Sequence, residues 1–374
     1  MRDEFTANGA KCSRYNEGVK TADAIVIGAG VIGLSVAWRL QKAGLRVQVL
    51  ERHEAAGEAS HAAAGMLAVY DPHNDAAMQP LAERSAAMYP EFVHELEDES
   101  GEKVDLRDEG VIGFLDATSY STLHHKVRKL SAEEVKKMEP GLSLEREAHF
   151  FPERWVDPRA LCAALLKAFR HRGGDVATGS PVTQVECLEN SLVVTTTHAK
   201  YSAPVAVNCA GAWAGQLGFA VPTRPVKGQM LSVVPVANPE PHAPVLRHVV
   251  RAPEVYLVPR SDGRMVIGST LEEAGFDKNV NSSVIHQLHA AAAALVPAVK
   301  EMRIHEVWAG LRPGTPDGRP LIGAMSTPGM FIAAGHYRDG ILLAPATAEV
   351  VCALVQGEAF ELDLRPFGAN RFQR

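Results

Sequence analysis

The sequence predicts an α/β fold in which a discontinuous parallel-sheet domain carries an inserted antiparallel-sheet domain. Three observations predict it. A β-α-β unit occupies Ala24 to Glu51, proline-punctuated alternating segments fill residues 219 to 308, and a strand with a following helix begins at Met330. Because α/β segments lie on both sides of the alternating region, one discontinuous domain with an insertion explains the order.

The β-α-β unit begins with an apolar strand, Ala24–Ile27, and continues with Gly28, Gly30 and Gly33 in a G-x-G-x-x-G pattern. The first glycine allows the tight turn, the second lets backbone approach a pyrophosphate, and the third lets helix and strand pack closely. The helix N-terminus offers free N–H groups to phosphates. Glu51 ends the second strand and is placed to accept from ribose hydroxyls, which favours NAD or FAD over NADP. The alternative is a glycine-rich turn that binds nothing.

Composition argues against several classes of function. The 374 residues carry a formal net charge of −6 and are 46% hydrophobic, without the basic excess that nucleic acid or a membrane surface attracts. No apolar run approaches the roughly 20 residues that span a bilayer. Residues 1–22 are polar and lack the apolar core of a secretory signal. We interpret them as a disordered extension or start-site artefact, with a functional arm as the alternative, and expect a cytoplasmic protein.

Cysteine and histidine spacing predicts no metal site. The five cysteines are scattered without C-x-x-C: Cys12, Cys162, Cys187, Cys209 and Cys352. An odd, scattered set indicates a reducing compartment. His124–His125 are adjacent and His286 and His289 are spaced i, i+3, but no third ligand accompanies either pair.

Caps and periodicity place the remaining elements in order. Helices are predicted at Met78–Glu99, from Ser131 (a capping box) to Pro140, from Asp157 to His171, at Val284–Leu295 and in a final segment ending near Gln356. Strands are predicted at Gly110–Leu115, Val176–Val185, Leu192–Thr197, Pro204–Cys209, Arg224–Val234, Val245–Val250, Val255–Pro259, Arg264–Gly268 and Met330–Ala334. The predicted nucleotide domain covers 23–72, 150–218 and 309–357, the inserted domain covers 73–149 and 219–308, and 358–374 form a C-terminal tail.

Two segments have almost no side-chain bulk. Ala62–Met66 would let backbone lie against a flat ring, although an ordinary small-residue helix start explains it equally well. Ala210–Gly211 follows a buried strand and is a second place where the chain can pass close to a cofactor.

These residues together resemble the flavin-dependent D-amino-acid oxidase family, and most closely its bacterial glycine oxidases of thiamine biosynthesis. The resemblance covers residues 23–357. It is carried by GAGVIG at Gly28–Gly33, Glu51, AAAGM at Ala62–Met66, NCAGAW at Asn208–Trp213, YLVPR at Tyr256–Arg260, WAGLRPGTPDGRPLIG at Trp308–Gly323 and AAGHYRDGILLAPAT at Ala333–Thr347. The last two motifs are far more specific than the glycine triplet.

The resemblance implies an FAD-binding Rossmann-like domain with an inserted antiparallel-sheet substrate domain. It implies non-covalent FAD, because no cysteine lies near Gly314–Thr315, where covalent relatives attach the flavin. The implied FAD-binding residues are Gly28, Gly30, Val31, Ile32, Gly33, Glu51, Arg52, Ala59, Ser60, Ala64, Gly65, Met66, Val182, Gly211, His336, Tyr337, Arg338, Asp339, Gly340, Ile341 and Leu342. The segment from Gly335 opens a helix, whose N–H groups and dipole would stabilise negative charge on reduced flavin.

For the substrate, the resemblance points to Arg312 and Tyr256. An α-carboxylate needs a planar, bidentate, permanently charged partner, which arginine supplies. In isolation, Arg312 would be read as a surface residue and Tyr256 as a core residue. Arg338 is expected to be a flavin-site charge rather than a direct ligand. Glu254 and Leu271 stand at pocket positions that are often histidine and methionine in glycine oxidases, which leaves larger D-amino acids and N-methyl glycines open as substrates.

The implied activity is oxidative deamination of glycine, sarcosine or small D-amino acids, with hydride transfer to flavin N5 and reduction of molecular oxygen to hydrogen peroxide. A dehydrogenase that passes electrons to a quinone is the alternative within the same chemistry. An FAD module of a tRNA-modifying protein and a nicotinamide dehydrogenase are alternatives from other classes. A homo-oligomer is possible, and the preferred substrate is left open.

Overall fold

The computed structural model describes residues 18–114, 125–236 and 244–372. Its α-helices are α1 (Val31–Lys42), α2 (Ala59–Ala62), α3 (Gln79–Ser100), α4 (Ala132–Met138), α5 (Pro158–His171), α6 (Ser282–Leu295) and α7 (Gly340–Gln356). Short 3₁₀ helices lie at Ala76–Met78, Gly211–Gln216, Pro297–Glu301, Arg365–Phe367 and Ala369–Phe372. Cys12, Leu115 and His124 lie outside the described residues.

Two predicted helix caps are confirmed. Ser131 Oγ accepts from the Glu134 backbone N–H at 3.2 Å, and the Glu134 carboxylate accepts from the Ser131 N–H at 2.8 Å. This reciprocal pair is the capping box. Asp157 caps α5 by accepting from the Arg159 N–H at 2.9 Å. Local sequence therefore fixes where α4 and α5 begin.

A six-stranded sheet forms the predicted parallel layer. Its strands are β2 (Ala24–Ile27), β3 (Val47–Leu50), β10 (Asp175–Ala177), β14 (Val205–Asn208), β20 (Leu321–Ala324) and β21 (Met330–Ala334). The order is β10-β3-β2-β14-β21-β20, and only β20 runs antiparallel to its neighbour. Strands from both ends of the chain meet at β14, which pairs with β2 on one side and with β21 on the other.

A four-stranded sheet corrects the prediction for the start of the chain. It contains β1 (Val19–Thr21), β11 (Val182–Cys187), β12 (Leu192–Thr196) and β13 (Lys200–Ala203) in the order β1-β13-β12-β11. The predicted disorder of residues 1–22 is therefore wrong for Val19–Thr21, which pairs in parallel with β13. Residues 1–17 lie outside the described residues. A further three-stranded sheet joins β4 (Met66–Leu67), β9 (Arg154–Val156) and β5 (Leu106–Arg107).

The inserted sheet has eight strands. They are β6 (Val111–Gly113), β7 (Arg128–Leu130), β8 (Ala148–Phe151), β15 (Arg224–Val234), β16 (Val249–Arg251), β17 (Tyr256–Pro259), β18 (Met265–Gly268) and β19 (Arg303–Gly314), in the order β19-β15-β18-β17-β16-β6-β8-β7. The pairing is antiparallel except between β6 and β16. Both predicted insertions, 73–149 and 219–308, supply strands. The strand β19 continues past 308, so it carries its C-terminal residues toward the parallel layer.

Packing places one predicted element in the other domain. The helix α3, assigned by sequence to the inserted domain, packs on α5 and α7, and its buried residues belong to the core around α1. The physical reason is its long apolar stripe, which includes Leu81, Phe92 and Leu96 and covers the parallel layer. In the predicted tail 358–374, Arg371 is paired with Asp317 at 2.9 Å, which fixes this segment to the fold.

Candidate functional site

A cavity of about 710 Å³ lies between the ends of the parallel strands and one face of the inserted sheet. Its volume is in the range typical of ligand sites, and such crevices at strand ends are where α/β sheets bind ligands. Most predicted site residues line it: Gly28, Gly30, Val31, Ile32, Glu51, Arg52, Ala59, Ser60, Ala64, Gly65, Met66, Val182, Gly211, Tyr256, Leu271, Arg312, His336, Tyr337, Arg338, Asp339, Gly340 and Ile341.

The glycine loop has the close packing that its motif predicts. Gly28 has a φ of +105°, and a Cβ there would lie 2.5 Å from the Cys209 carbonyl oxygen. A Cβ on Gly33 would lie 1.9 Å from the Gly28 carbonyl oxygen. Gly33 does not line the cavity; it lets α1 approach the loop after β2. The Val31 N–H, at the start of α1, donates to Ser60 Oγ at 2.9 Å.

The acid at the end of β3 faces the same loop. One oxygen of the Glu51 carboxylate accepts from the Ala29 N–H at 2.8 Å, and the other accepts from the His53 N–H at 3.0 Å. These bonds fix the carboxylate at the cavity wall. Beside it, the Arg52 guanidinium stacks on the Trp213 ring, 3.9 Å from its centroid. An acid held by backbone next to a glycine loop fits a ribose, and the stacked pair bounds the same end of the cavity.

The small-residue segment forms part of the opposite wall. The helix α2 ends at Ala62, and the chain is extended at Ala63. Gly65 has a φ of +84°, and a Cβ there would lie 1.9 Å from the Val156 carbonyl oxygen. Since Ala64, Gly65 and Met66 line the cavity, backbone and small side chains form this wall, which leaves room for a flat ring.

The start of α7 closes the other side. Asp339 is its N-cap residue, and its first turn contains no acidic side chain. His336 is buried, and its Nε2 lies 3.0 Å from Thr347 Oγ1. Burial lowers the pKa of His336 to about 3, so the ring is neutral at pH 7. Burial also raises the pKa of Asp339 to about 7. This helix start directs N–H groups and a positive dipole end toward the cavity, which fits the electron-rich end of a flavin.

The guanidinium of Arg312 is held on three sides. Its Nη2 donates to Ser269 Oγ at 2.6 Å and its Nη1 donates to the Thr270 carbonyl oxygen at 3.1 Å. Beneath it lies Gly228, where a Cβ would come within 2.2 Å of Nη1. Arg312 is half-buried and lines the cavity, so a rigidly placed cation faces a bound molecule.

Tyr256 lies on the same face of the inserted sheet. Its ring packs over Gly268, where a Cβ would come within 2.6 Å of it. Strand pairing aligns Tyr256 with Gly268 and Gly268 with Met230. Because alternate residues of a strand share a face, Met230 and Gly228 also lie on this face. The register therefore brings the phenol and the Arg312 guanidinium to neighbouring positions.

Sequence reasoning missed a charge cluster beside these residues. Asp71 Oδ2 accepts from Arg251 Nη2 at 2.7 Å and from Arg338 Nη2 at 2.9 Å. Burial acts to raise the pKa of Asp71, but the two guanidiniums outweigh it and lower that pKa to about 2. Asp71 and Arg251 are 180 residues apart in the sequence, and only the folded structure reveals their contact. The expected flavin-site charge, Arg338, lines the cavity through this pairing.

Two predicted site residues are in the wrong place. Glu254 is exposed and does not line the cavity, because residues 252–255 form a turn closed by the Ala252 N–H and the Val255 carbonyl. The alternation that would align Glu254 with Tyr256 begins only at β17. Leu342 is 1% exposed and packs in the core of the parallel layer. The helical twist turns it about 100° away from Ile341.

The described residues contain neither a metal-binding cluster nor a membrane-spanning helix. Among residues 18–114, 125–236 and 244–372, no cluster of three His, Cys, Asp or Glu side chains is arranged to hold a metal ion. Within the same ranges, every helix is too short or too polar to cross a bilayer.

Comparison with known proteins agrees with this geometry. The family profile described as FAD dependent oxidoreductase matches residues 23–354. The chain is 33% identical to a glycine oxidase of Bacillus licheniformis, covering 94% of this chain and 98% of that one. It is 30% identical to the hydrogen cyanide synthase subunit HcnC of Pseudomonas aeruginosa, covering 95% and 97%. The crystal structure of glycine oxidase from Geobacillus kaustophilus superposes with a TM-score of 0.89 at 32% identity, over 94% of this chain and 99% of that one.

Proposed function

The chain belongs to the FAD dependent oxidoreductase family, and from this premise we propose that it oxidises the C–N bond of glycine or another small amine-bearing acid. The observation that carries the proposal is the position of Arg312 and Tyr256. Both line the cavity that also receives the glycine loop and the start of α7. A carboxylate clamp and a flavin cradle in one cavity are what an amino acid oxidase requires.

Residues of the chain would hold FAD at named places. The loop at Gly28–Gly33 and the start of α1 fit the pyrophosphate, Glu51 fits the ribose, and the start of α7 fits the pyrimidine edge of the flavin. When bound, the flavin supplies an acceptor for the hydride that leaves the substrate α-carbon. None of the five cysteines is adjacent to Gly314 or Thr315 in the sequence, which supports non-covalent attachment.

The protein's contribution is mainly positioning. Arg312 binds the α-carboxylate through charge-assisted hydrogen bonds, and the Tyr256 hydroxyl donates to the same group. Because Ser269 and Thr270 fix the guanidinium, the substrate pivots little about its carboxylate, and its α C–H bond is held toward the cavity wall formed by Ala64–Met66. The amino acid binds as a free amine, having lost its ammonium proton to solvent. Water then hydrolyses the imino acid to a 2-oxo acid and ammonia, or methylamine where the substrate is sarcosine.

Molecular oxygen as the final electron acceptor, with hydrogen peroxide as its product, is part of the proposal. A cytoplasmic location is also part of the proposal, and the scattered cysteines support it. Purified protein is expected to be yellow and to form peroxide in air when glycine, sarcosine or a small D-amino acid is added without another acceptor. Substrate oxidation that needs an added quinone and forms no peroxide, or no oxidation of any of these substrates, would contradict the oxidase assignment. Colourless protein that takes up no FAD would contradict the assignment of FAD as the cofactor.

A further inference from the structure

Two of the arginines that line the cavity, Arg312 and Arg338, lie on adjoining segments. The Tyr337 N–H donates to the Pro313 carbonyl oxygen at 2.9 Å, so the residue before Arg338 is bonded to the residue after Arg312. From this hydrogen bond the side chains of Arg312 and Arg338 extend in different directions. Arg312 lies over Gly228, and Arg338 reaches Asp71.

The contacts continue until they close a ring. Asp71 binds Arg251, and strand pairing aligns Arg251 with Tyr256. Tyr256 packs over Gly268, and the next residue, Ser269, accepts from Arg312. We call this ring of side chains the cation ring. Arg251, Arg312, Arg338, Asp71 and Tyr256 all line the cavity.

The cation ring has more positive charge than one substrate carboxylate needs. Two of its three guanidiniums, those of Arg251 and Arg338, share Asp71 Oδ2, and Arg251 also lies 3.9 Å from the buried Glu153 carboxylate. His73 contacts the other Asp71 oxygen at 3.0 Å. The nearby acids Glu153 and Asp339 are buried, and burial raises the pKa of each to about 7, so each is largely protonated below neutral pH. Below neutral pH, positive charge is therefore left over after Arg312 has bound an α-carboxylate.

Arg338 is the guanidinium placed to bind a second acidic group. Its side chain is 41% exposed, whereas that of Arg251 is 12% exposed and lies between Asp71 and Glu153. Among the described residues, Arg338 makes one hydrogen bond, through Nη2 to Asp71, out of the five that a guanidinium can donate. Because Arg251 competes for the same Asp71 oxygen, the charge of Arg338 is only partly compensated.

We propose that the cation ring is a two-acid site, in which Arg312 and Tyr256 hold the α-carboxylate and Arg338 holds a second acidic group on the same small amino acid. This proposal rests on the proposed function and names its substrate class as amino acids with two acid groups. The second group lies on the side chain or on the amine substituent. Either position places the second carboxylate a few bonds from the α-carboxylate.

The test compares acids with their neutral amides in steady-state turnover. The pairs are D-aspartate with D-asparagine, and N-carboxymethylglycine with N-carbamoylmethylglycine. In at least one pair the acid is expected to have a kcat/KM about tenfold or more above its amide, as a hydrogen-bonded charge pair predicts. Arg338→Gln should bring that ratio to about one, and Arg338→Lys should restore part of it because the charge returns. No preference in either pair, or a preference that survives Arg338→Gln, would overturn the proposal.

A binding measurement separates this proposal from the proposed function. Malonate and succinate are titrated against acetate at constant ionic strength, and the flavin absorbance change reports binding without turnover. At least one diacid should bind about tenfold or more tightly than acetate to the unaltered protein, but not to Arg338→Gln. If Arg338→Gln fails to retain flavin, the same titrations are made on Asp71→Asn. Removing the carboxylate that competes for Arg338 should increase the preference for a diacid over acetate, and an unchanged preference would overturn the proposal. Diacid preference without oxidation of any amino acid would refute the function alone, and oxidation of glycine without diacid preference would refute the two-acid site alone.

Discussion

The guanidinium of Arg312 lies directly over Gly228, and a Cβ on that glycine would come within 2.2 Å of Arg312 Nη1. The two residues lie on paired strands, β19 and β15, whose register aligns Gly228 with Gly310. Glycine at 228 leaves the space that lets Arg312 lie across the sheet and reach Ser269. The carboxylate clamp therefore depends on a residue that has no side chain.

We expect Gly228→Ala to displace the Arg312 guanidinium while the sheet stays folded. The added methyl group occupies its place, so hydrogen bonds to substrate are weakened and the KM for the amino acid should rise about 10- to 100-fold. Gly368→Ala is the matched control, because the nearest atom to its Cβ, the Arg365 carbonyl oxygen, is 3.5 Å away. An unchanged KM in Gly228→Ala would show that this guanidinium does not hold substrate.

Arg312→Ala should remove the clamp altogether. The KM is expected to rise by about 100-fold or more, because a charge-assisted, bidentate partner is lost, while the purified protein stays yellow. Arg312→Lys keeps the charge but not the planar fork, so its KM should lie between that of the unaltered enzyme and that of Arg312→Ala. Steady-state kinetics with the best substrate measures both. A KM equal to that of the unaltered enzyme would remove Arg312 from substrate binding.

Local signals predicted the parts of the fold and site that local chemistry determines. The glycine loop, the capping box at Ser131 and the Asp157 cap depend on residues close together in sequence, and all are found as predicted. Glu254 was wrong for a different reason. Its placement was carried over from the family pattern, in which the position two before Tyr256 is a pocket position, whereas here that position lies in the turn before β17.

The rest of the site depends on register, which the sequence does not display. Asp71 contacts Arg251, which is 180 residues away in the sequence, and Arg338, which is 267 residues away. Gly228 is an ordinary strand glycine until β15 is aligned with β19. A slip of one residue in strand register would turn Arg251 on β16 or Arg312 on β19 to the other face of the sheet. The cation ring could therefore be recognised only after the strands were paired.

Gly33→Ala should loosen FAD binding. Its Cβ would lie 1.9 Å from the Gly28 carbonyl oxygen, so either the helix or the phosphate-binding loop must move. Overpacking of this kind costs about 1–3 kcal/mol, which corresponds to an increase in the FAD dissociation constant of about 10- to 100-fold. Flavin fluorescence on reconstitution of apoprotein measures it. Ser35→Ala, on the same helix, is the control: Ser35 Oγ is buried and has no hydrogen-bond partner among the described residues, so FAD affinity should not change. Equal affinity in Gly33→Ala would contradict the packing role.

His336 should make the folded state less stable in acid. Its pKa is lowered to about 3 by burial from an ordinary value of 6.5, so the unfolded chain takes up a proton below pH 6.5 that the folded chain refuses until about pH 3. Stability is therefore unaffected above pH 6.5 and falls as pH drops through this window, by about 2 kcal/mol between pH 7.5 and pH 5. In His336→Gln that component should disappear, so urea unfolding of holoprotein at the two pH values should show a smaller loss. His94→Gln, at an exposed site, should keep the full loss. Identical pH dependence in His336→Gln and the unaltered protein would mean that the buried ring does not resist protonation.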